Sequence, residues 1–298
     1  MKEDLSNKYP NLFIIGFPKS GSTALAKNLS KHKDFFMPEY GVERFFDHET
    51  YYDETNKPNK VSFQEYLFEY SNASSLSSKY RVDPCLLAIY RKESIEKIIS
   101  TFPNSKFIVL LRDPVESSVS MFKQRLSSPS KKTREISNNF MDCWNLIEQR
   151  KSGTSYPKNC INKFLFRYDL LYSYELYLPY AIELLGENLF IGFYDEYLLN
   201  PKSFFGKLSR FLDVDFSKLE NKKYNVAHPA HPNYLVFLLS KFASYTLAFR
   251  KKLGIENLFR VRSLFNFRYK ATKIDIEVDK SVYDYFNVTN KYIENLKK

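Results

Sequence analysis

The residue types best able to do chemistry sit in three short stretches. In the first, Lys19, Ser20, Gly21, Ser22 and Thr23 follow the apolar run Leu12 to Ile15 and Gly16. A loop between such a run and a helix turns backbone N–H groups and the positive end of the helix dipole toward one point. That makes a site for an anion such as phosphate. In the second, Arg112 stands at the end of the apolar run Phe107 to Leu111. A guanidinium there can give a phosphate two parallel charge-assisted bonds. The third, HKDFFMPEYGVERFFDHETYYDE, residues 32 to 54, is crowded with acids, aromatics and two histidines, and it suits a loop that feeds a pocket.

The spacing narrows the class of phosphate ligand. Gly16 and Gly21 have the separation of the P-loop pattern G-x-x-x-x-G-K-[ST], and Thr23 fills its last position, but Ser22 stands where the lysine belongs. The lysine lies inside the loop instead, at Lys19. A triphosphate site needs Mg²⁺ to neutralise its charge, whereas a donor with one transferable group on a 5′-phosphate can manage with a loop lysine and backbone donors. A kinase is therefore disfavoured, although a metal-dependent phosphotransferase stays open as a rival.

The elements that must position these groups follow from the apolar pattern. Leu12 to Ile15 and Phe107 to Leu111 are continuous apolar runs of the kind a strand buried on both faces requires, and Leu189 to Tyr194 reads as a third strand. After the first, Ser22 and Thr23 suit a helix start, with Leu25 and Leu29 one turn apart. After the second, Asp113 is a natural N-cap, Pro114 fits the first helical position, and Glu116 completes an acid-capped start. For Arg112 this reading leaves a phosphate contact, with an ion pair to a neighbouring acid as the structural alternative. Val61, Tyr66, Leu67 and Tyr70 predict a surface helix. Asp83, before Pro84, suits a turn cap or a ligand contact. Phe140, Met141, Trp144 and Ile147 predict one buried helix face. Tyr168 to Leu185 predicts a helix interrupted by Pro179 and stopped at Gly186, and Phe204, Leu208, Phe211 and Leu212 predict an inward helix face.

With 298 residues and 44% hydrophobic content the chain can bury the core of an enzyme. A formal charge of +11 fits anionic small ligands, an anionic surface or nucleic acid. With no zinc-finger spacing and no aromatic-plus-glycine RNA motif, nucleic acid is not an expected partner. Cys85, Cys143 and Cys160 have neither ligand spacing nor the density of a disulfide scaffold, so a reducing, cytoplasmic setting is expected and no metal site is. The polar start MKEDLSNKYP lacks a signal-peptide core, and no run is long enough to span a bilayer.

Phe17-Pro18-Lys19-Ser20-Gly21-Ser22-Thr23 resembles the phosphosulfate loop P-K-x-G-[ST]-[ST] of sulfotransferases that use 3′-phosphoadenosine 5′-phosphosulfate (PAPS). Arg112-Asp113-Pro114 through Ser120 is similar to their R-D-P-x-x-x-x-x-S signature, in the same order along the chain. The resemblance implies an α/β, three-layer P-loop-like fold with a central parallel sheet flanked by helices and a C-terminal helical layer. It implies one domain over 1–298, with residues 11–221 as the PAPS-binding core and 222–298 as a loop and helical layer. It also implies transfer of a sulfuryl group from PAPS to a hydroxyl or amine, leaving 3′-phosphoadenosine 5′-phosphate (PAP), without a metal. On this likeness Lys19 and the loop N–H groups stabilise the leaving 5′-phosphate, Ser20 and Gly21 belong to the same donor-binding loop, Ser22 and Thr23 hold the phosphate oxygens, and Arg112 and Ser120 hold the 3′-phosphate.

The stretch from His32 to Phe46 is similar to H-P-D-x-x-x-P-x-x-K-E-x-H-F-F of the carbohydrate and heparan-sulfate enzymes, where a glutamate deprotonates the acceptor. Here Gly41 and Val42 fall on the lysine and glutamate places. Glu43, one place late, is the first choice for the base, followed by Glu39 and His48; a loop ion pair between Glu43 and Arg44 is the structural alternative. A catalytically silent PAP-binding module would lack this base. A glycan is the default acceptor, with a small metabolite also fitting, and no obligate protein partner is implied. Beyond Lys222, Asn225 and His228 are candidates for donor contacts in a closing loop. The basic run from Arg250 to Lys273 suits a lid, an acidic-acceptor groove, membrane-surface contact or a solvated face.

Overall fold

The computed structural model describes residues 9–38, 45–47, 50, 61–71, 75, 77–128, 130–217, 219 and 276–298. In chain order these form β1 (Leu12–Ile14), α1 (Ser22–Leu29), β2 (Phe35–Phe36), α2 (Phe63–Phe68), β3 (Tyr80–Asp83), α3 (Lys92–Thr101), β4 (Lys106–Leu111) and α4 (Pro114–Leu126). They continue as α5 (Phe140–Asn145), α6 (Ile147–Lys151), α7 (Tyr168–Leu171), α8 (Leu178–Leu185), β5 (Leu189–Phe193), α9 (Tyr194–Leu199), α10 (Pro201–Leu212), α11 (Lys280–Tyr285) and α12 (Asn287–Leu296).

The sheet is five-stranded in the order β2-β3-β1-β4-β5, and every pairing is parallel. Strand β1 is central, with Phe13 opposite Asp83 on one side and Phe107 on the other. From β1 the chain runs outward to β2 and β3, then crosses to β4 on the opposite side. The carboxyl end of β1 is therefore the switch point at which open α/β sheets leave a crevice for ligands.

Both faces of the sheet are covered, which is why β1 and most of β4 are continuous apolar runs rather than alternating, whereas β3 buries Arg81 and Asp83 among its four residues. On one face Leu12, Ile14, Val82, Ile108 and Leu110 pack against Leu25 and Leu29 of α1 and Phe204, Leu208 and Leu212 of α10. On the other the Phe13 ring lies 6.0, 5.9 and 5.4 Å from those of Phe46, Phe102 and Phe107. Burying each such side chain contributes about 1.5–3 kcal/mol. The expected layered α/β arrangement with its central parallel sheet is present.

Local chemistry sets the helix ends. Ser62 and Glu65 form a reciprocal capping box on α2. Asn200 accepts from the Ser203 N–H, and Pro201 occupies the first turn of α10, where a missing N–H costs nothing. The segment read as one helix from Tyr168 to Leu185 is three: α7, a 3₁₀ turn at Tyr174–Leu176, and α8. Pro179 lies in the first turn of α8, so it starts that helix instead of interrupting a longer one. The face predicted from Phe140 to Ile147 is shared by α5 and α6; Met141 is only half-buried, and Cys143 joins the buried set.

The chain divides into two compact units. One comprises residues 1–121, 161–224 and 278–298, and the other 122–160 and 225–277. The first contains the whole sheet. In it, α12 is tied to the 3₁₀ turn by the Thr289 hydroxyl, which donates to Glu175 at 2.7 Å. In the second unit, Arg150 and Glu135 form a fully buried two-bonded ion pair at 3.1 and 2.7 Å. The apolar and basic stretches from Tyr234 to Lys273, with Asn225 and His228, lie outside the described residues.

Candidate active site

At the carboxyl end of β1 the backbone turns sharply. The Ile15 N–H donates to Ile108 at 3.1 Å, but the next N–H, of Gly16, leaves the strand ladder and donates to Leu86 at 2.8 Å. Ser20 is fully buried, and its hydroxyl donates to the Phe17 carbonyl at 2.7 Å, so this side chain closes the loop on itself. Lys19 has φ 68 and Gly21 φ 94, both left-handed. A Cβ on Gly21 would lie 2.6 and 2.8 Å from Cδ2 and Cε2 of Tyr194, so the bare glycine lets that ring sit against the loop.

Helix α1 begins with Gly21 as N-cap and no side-chain cap. The N–H groups of Ala24 and Leu25 both return to the Gly21 carbonyl, at 2.9 and 3.0 Å. Those of Ser22 and Thr23 have no acceptor among the described residues. Two donors and the positive end of the dipole are thus presented together, as an anion site requires. Ser22 is buried and Thr23 exposed.

Lys19 is half-buried and forms no ion pair among the described residues. Burial, and secondarily the charge of Arg112, lower its pKa from the usual lysine value. Arg112 comes to this loop from the end of β4, and its Nη1 donates to the Lys19 carbonyl at 3.2 Å. The structure thus brings together the lysine and the arginine that the sequence set almost a hundred residues apart. The guanidinium lies 4.5 Å from the centre of the Tyr194 ring. It also pairs with Glu116, whose Oε2 accepts from Nε at 3.0 Å and from Nη2 at 2.9 Å. The ion pair with a neighbouring acid, the structural alternative for Arg112, is therefore present, because Glu116 one turn along α4 turns its carboxylate back toward the strand end. The Glu116 N–H is bonded by Asp113 at 2.8 Å, so Asp113 caps the helix as expected while the Glu116 side chain does not. Ser120 lies further along α4, half-buried, its hydroxyl without a partner among the described residues.

Two tyrosines complete the setting and were not singled out by sequence. Tyr174 is fully buried, its ring centre 4.1 Å from that of Phe17, and its hydroxyl donates to the Arg112 carbonyl at 2.9 Å. It therefore fixes the backbone of both the loop and the strand end. Tyr194 lies between Gly21 and Arg112. Neither contact has a sequence period to betray it; the only hint for Tyr194 is its place just after the edge strand β5.

Beside β1, the end of β3 holds a buried acidic cluster. Asp83 accepts the Tyr66 hydroxyl at 2.5 Å, and Asp47 accepts the Leu87 N–H at 3.2 Å. Burial, aided by the charge of Asp47, raises the Asp83 pKa to about 7, although the Tyr66 bond works in the opposite direction. Asp83 is thus not a turn cap; it is buried to 4% exposure with the Tyr66 hydroxyl on its carboxylate. The candidate bases Glu43, Glu39 and His48 lie outside the described residues. Among the described residues no group of three or more His, Cys, Asp or Glu could hold a metal ion, and no helix is long and apolar enough to cross a membrane.

The sequence profile of the sulfotransferase family matches residues 10–152. Among solved structures, a sulfotransferase from Alicyclobacillus acidocaldarius is similar over 85% of this chain and 98% of its own, with 18% identity and a TM-score of 0.58. A mouse sulfotransferase complexed with PAP is similar over 71% of this chain and 62% of its own, with 16% identity and a TM-score of 0.42. A sulfotransferase from Mycobacterium avium covers 80% and 76%, with 12% identity and a TM-score of 0.39. The first shares the fold; the other two are too distant in superposition for their geometry to bear on this chain. No curated protein matches the chain.

Proposed function

The chain belongs to the sulfotransferase family through residues 10–152, and from that premise we propose that it moves a sulfuryl group from PAPS to a hydroxyl or amine of an acceptor, most simply a glycan. The observation that carries this reading is the 3.2 Å bond from Arg112 Nη1 to the Lys19 carbonyl. It joins the Arg112 guanidinium to the Lys19 backbone where β1 and β4 end, and the arginine's charge lowers the lysine's pKa, which supports a site for a nucleotide with a phosphate at each end of its ribose. The donor set fits that nucleotide: one ammonium, one guanidinium and two unsatisfied N–H groups at a helix start, with a glycine where a Cβ would strike a ring.

Each residue then has a distinct task. The PAPS donor supplies an activated sulfuryl group on its 5′-phosphate. Lys19 and the N–H groups of Ser22 and Thr23 receive the negative charge that grows on that phosphate as the bond to sulfur breaks. Partial burial strengthens the lysine's part, since a charge in a less polar setting interacts more strongly. Arg112, with Ser120, holds the 3′-phosphate. Ser20 shapes the loop, and Gly21 permits its turn. A carboxylate, for which Glu43 is the first choice, takes the acceptor proton as the new bond to sulfur forms. Residues 1–298 are read as one sulfotransferase domain on the same grounds.

Radiolabelled PAPS incubated with a panel of glycan, phenol and amine acceptors, with and without EDTA, tests the proposal. Label transfer that persists in EDTA, together with PAP binding by calorimetry, is the expected result. Transfer of the γ-phosphate of ATP dependent on Mg²⁺, with no PAP binding, would overturn it. PAP binding without transfer to any acceptor would leave a binding module and refute the enzyme.

A further inference from the structure

Glu116 has no part in the reaction described above, yet its carboxylate takes two of the five N–H groups of Arg112 through a single oxygen. Nε and Nη2 share one edge of the planar guanidinium, and Oε2 closes that edge at 3.0 and 2.9 Å. One hydrogen of Nη1 goes to the Lys19 carbonyl at 3.2 Å. The plane itself lies over the Tyr194 ring, 4.5 Å from its centre. What remains is one hydrogen on Nη1 and one on Nη2, the latter at the far end of the group, neither with a partner among the described residues.

We propose that Glu116 is a positioning residue for the nucleotide's 3′-phosphate, fixing the rotation of the Arg112 guanidinium so that the remaining N–H groups of its terminal nitrogens are presented to that phosphate. The inference rests on the PAPS reading above. An arginine side chain has several freely turning bonds, and stilling them is part of the cost of binding. Three restraints hold this one beforehand: the carboxylate on one edge, the loop carbonyl on Nη1 and the ring beneath. The Glu116 side chain is 58% exposed against 20% for Arg112, so the pair adds little to folding. Its removal therefore perturbs the site with little effect on the fold.

A carboxylate beside a phosphate site also repels the phosphate, and the two effects have opposite signs, which allows them to be separated. Glu116→Ala removes both charge and acceptor, whereas Glu116→Gln removes the charge and keeps an oxygen for the guanidinium edge. The affinities of wild type, both variants and Arg112→Ala for PAP and for AMP, which lacks the 3′-phosphate, are measured by calorimetry on the full chain. Glu116→Ala is expected to lose roughly fivefold in PAP affinity, about the cost of stilling one long side chain, with AMP affinity unchanged. Glu116→Gln is expected to restore PAP binding to near wild type. PAP binding by Glu116→Ala that equals or exceeds wild type would overturn the proposal, as would an equal loss for PAP and AMP. Failure of the underlying nucleotide reading looks different: wild type would then not prefer PAP to AMP, and Arg112→Ala would not change the ratio.

Discussion

Replacing Gly21 by alanine tests how tightly the phosphate loop is keyed to the ring beside it. Two costs arise. The backbone at φ 94 disfavours any Cβ, by about 1–3 kcal/mol for a strained non-glycine residue. The new methyl would also lie 2.6 Å from Cδ2 and 2.8 Å from Cε2 of Tyr194, well inside contact distance. That ring cannot simply withdraw, because the Arg112 guanidinium lies against it, 4.5 Å from the ring centre. Relief must come from moving the loop, the arginine or the ring on which the arginine rests, and each shifts a phosphate ligand directly or through that contact. PAP affinity by calorimetry should fall at least roughly tenfold, or about 1.4 kcal/mol. Gly153→Ala is the control: its φ is 86 and nothing lies within 4 Å of its Cβ, so it has a backbone cost and no clash. It should lose about 1 kcal/mol of stability and leave PAP binding unchanged. In the double variant Gly21→Ala/Tyr194→Ala the clash is gone, so the combined loss should be smaller than the sum of the two, by about 0.5–3 kcal/mol for a contacting pair. Near-wild-type PAP affinity in Gly21→Ala, or strict additivity in the double variant, would refute the reasoning.

Three further outcomes are expected. Arg112→Ala should weaken PAP binding by at least roughly 1.5 kcal/mol, the low end for a charged hydrogen bond, and should let the Lys19 pKa rise toward its usual value, because Arg112 is one of the two causes that lower it. Unchanged affinity, or a Lys19 titration by NMR that does not move, would remove the assignment. Asp83→Asn should flatten the pH dependence of stability. The folded-state pKa of Asp83 is raised to about 7 by burial, so its protonated form favours folding at low pH and that contribution is lost as pH rises toward 7. The variant should therefore gain on wild type between pH 4 and 7 and stay more stable at pH 8, by roughly 4 kcal/mol at most. Melting curves of the two proteins that run parallel across that range would contradict it. Glu43→Gln should cut turnover by about 10²–10⁴ while leaving PAP affinity intact, with Glu39→Gln as the comparison. Full turnover in both would exclude both from proton transfer.

What was legible in the sequence, and what was not, follows from range. The β1-loop-α1 and β4-α4 junctions were readable because each is local: an apolar run, a glycine or an Arg-Asp-Pro, then a helix start, all within about twenty residues. The inward face of α10 was readable for the same reason, Phe204, Leu208 and Leu212 recurring one turn apart and all fully buried. Strand β2 has two residues and no period to detect. A proline inside an apolar pattern can end one helix or begin the next, and at Pro179 only packing decides. At Glu116 a cap and an ion pair with Arg112 compete for one carboxylate; sequence favours the cap, and the structure gives that carboxylate to the arginine. The ties from Tyr174 and Tyr194 to the loop and to Arg112 depend on chain ends meeting in space, which no spacing rule reaches.

The backbone at Lys19 has a bearing on any attempt to harden this protein. A lysine with φ 68 occupies a conformation that glycine or asparagine adopts more easily, and the difference is worth about 1 kcal/mol. Libraries sorted for heat resistance alone will therefore drift toward Gly or Asn at this position. Such clones would melt later and bind anions worse, having exchanged the ammonium for a relaxed turn. Sorting on thermal survival and donor affinity together keeps the residue that sorting on survival alone discards.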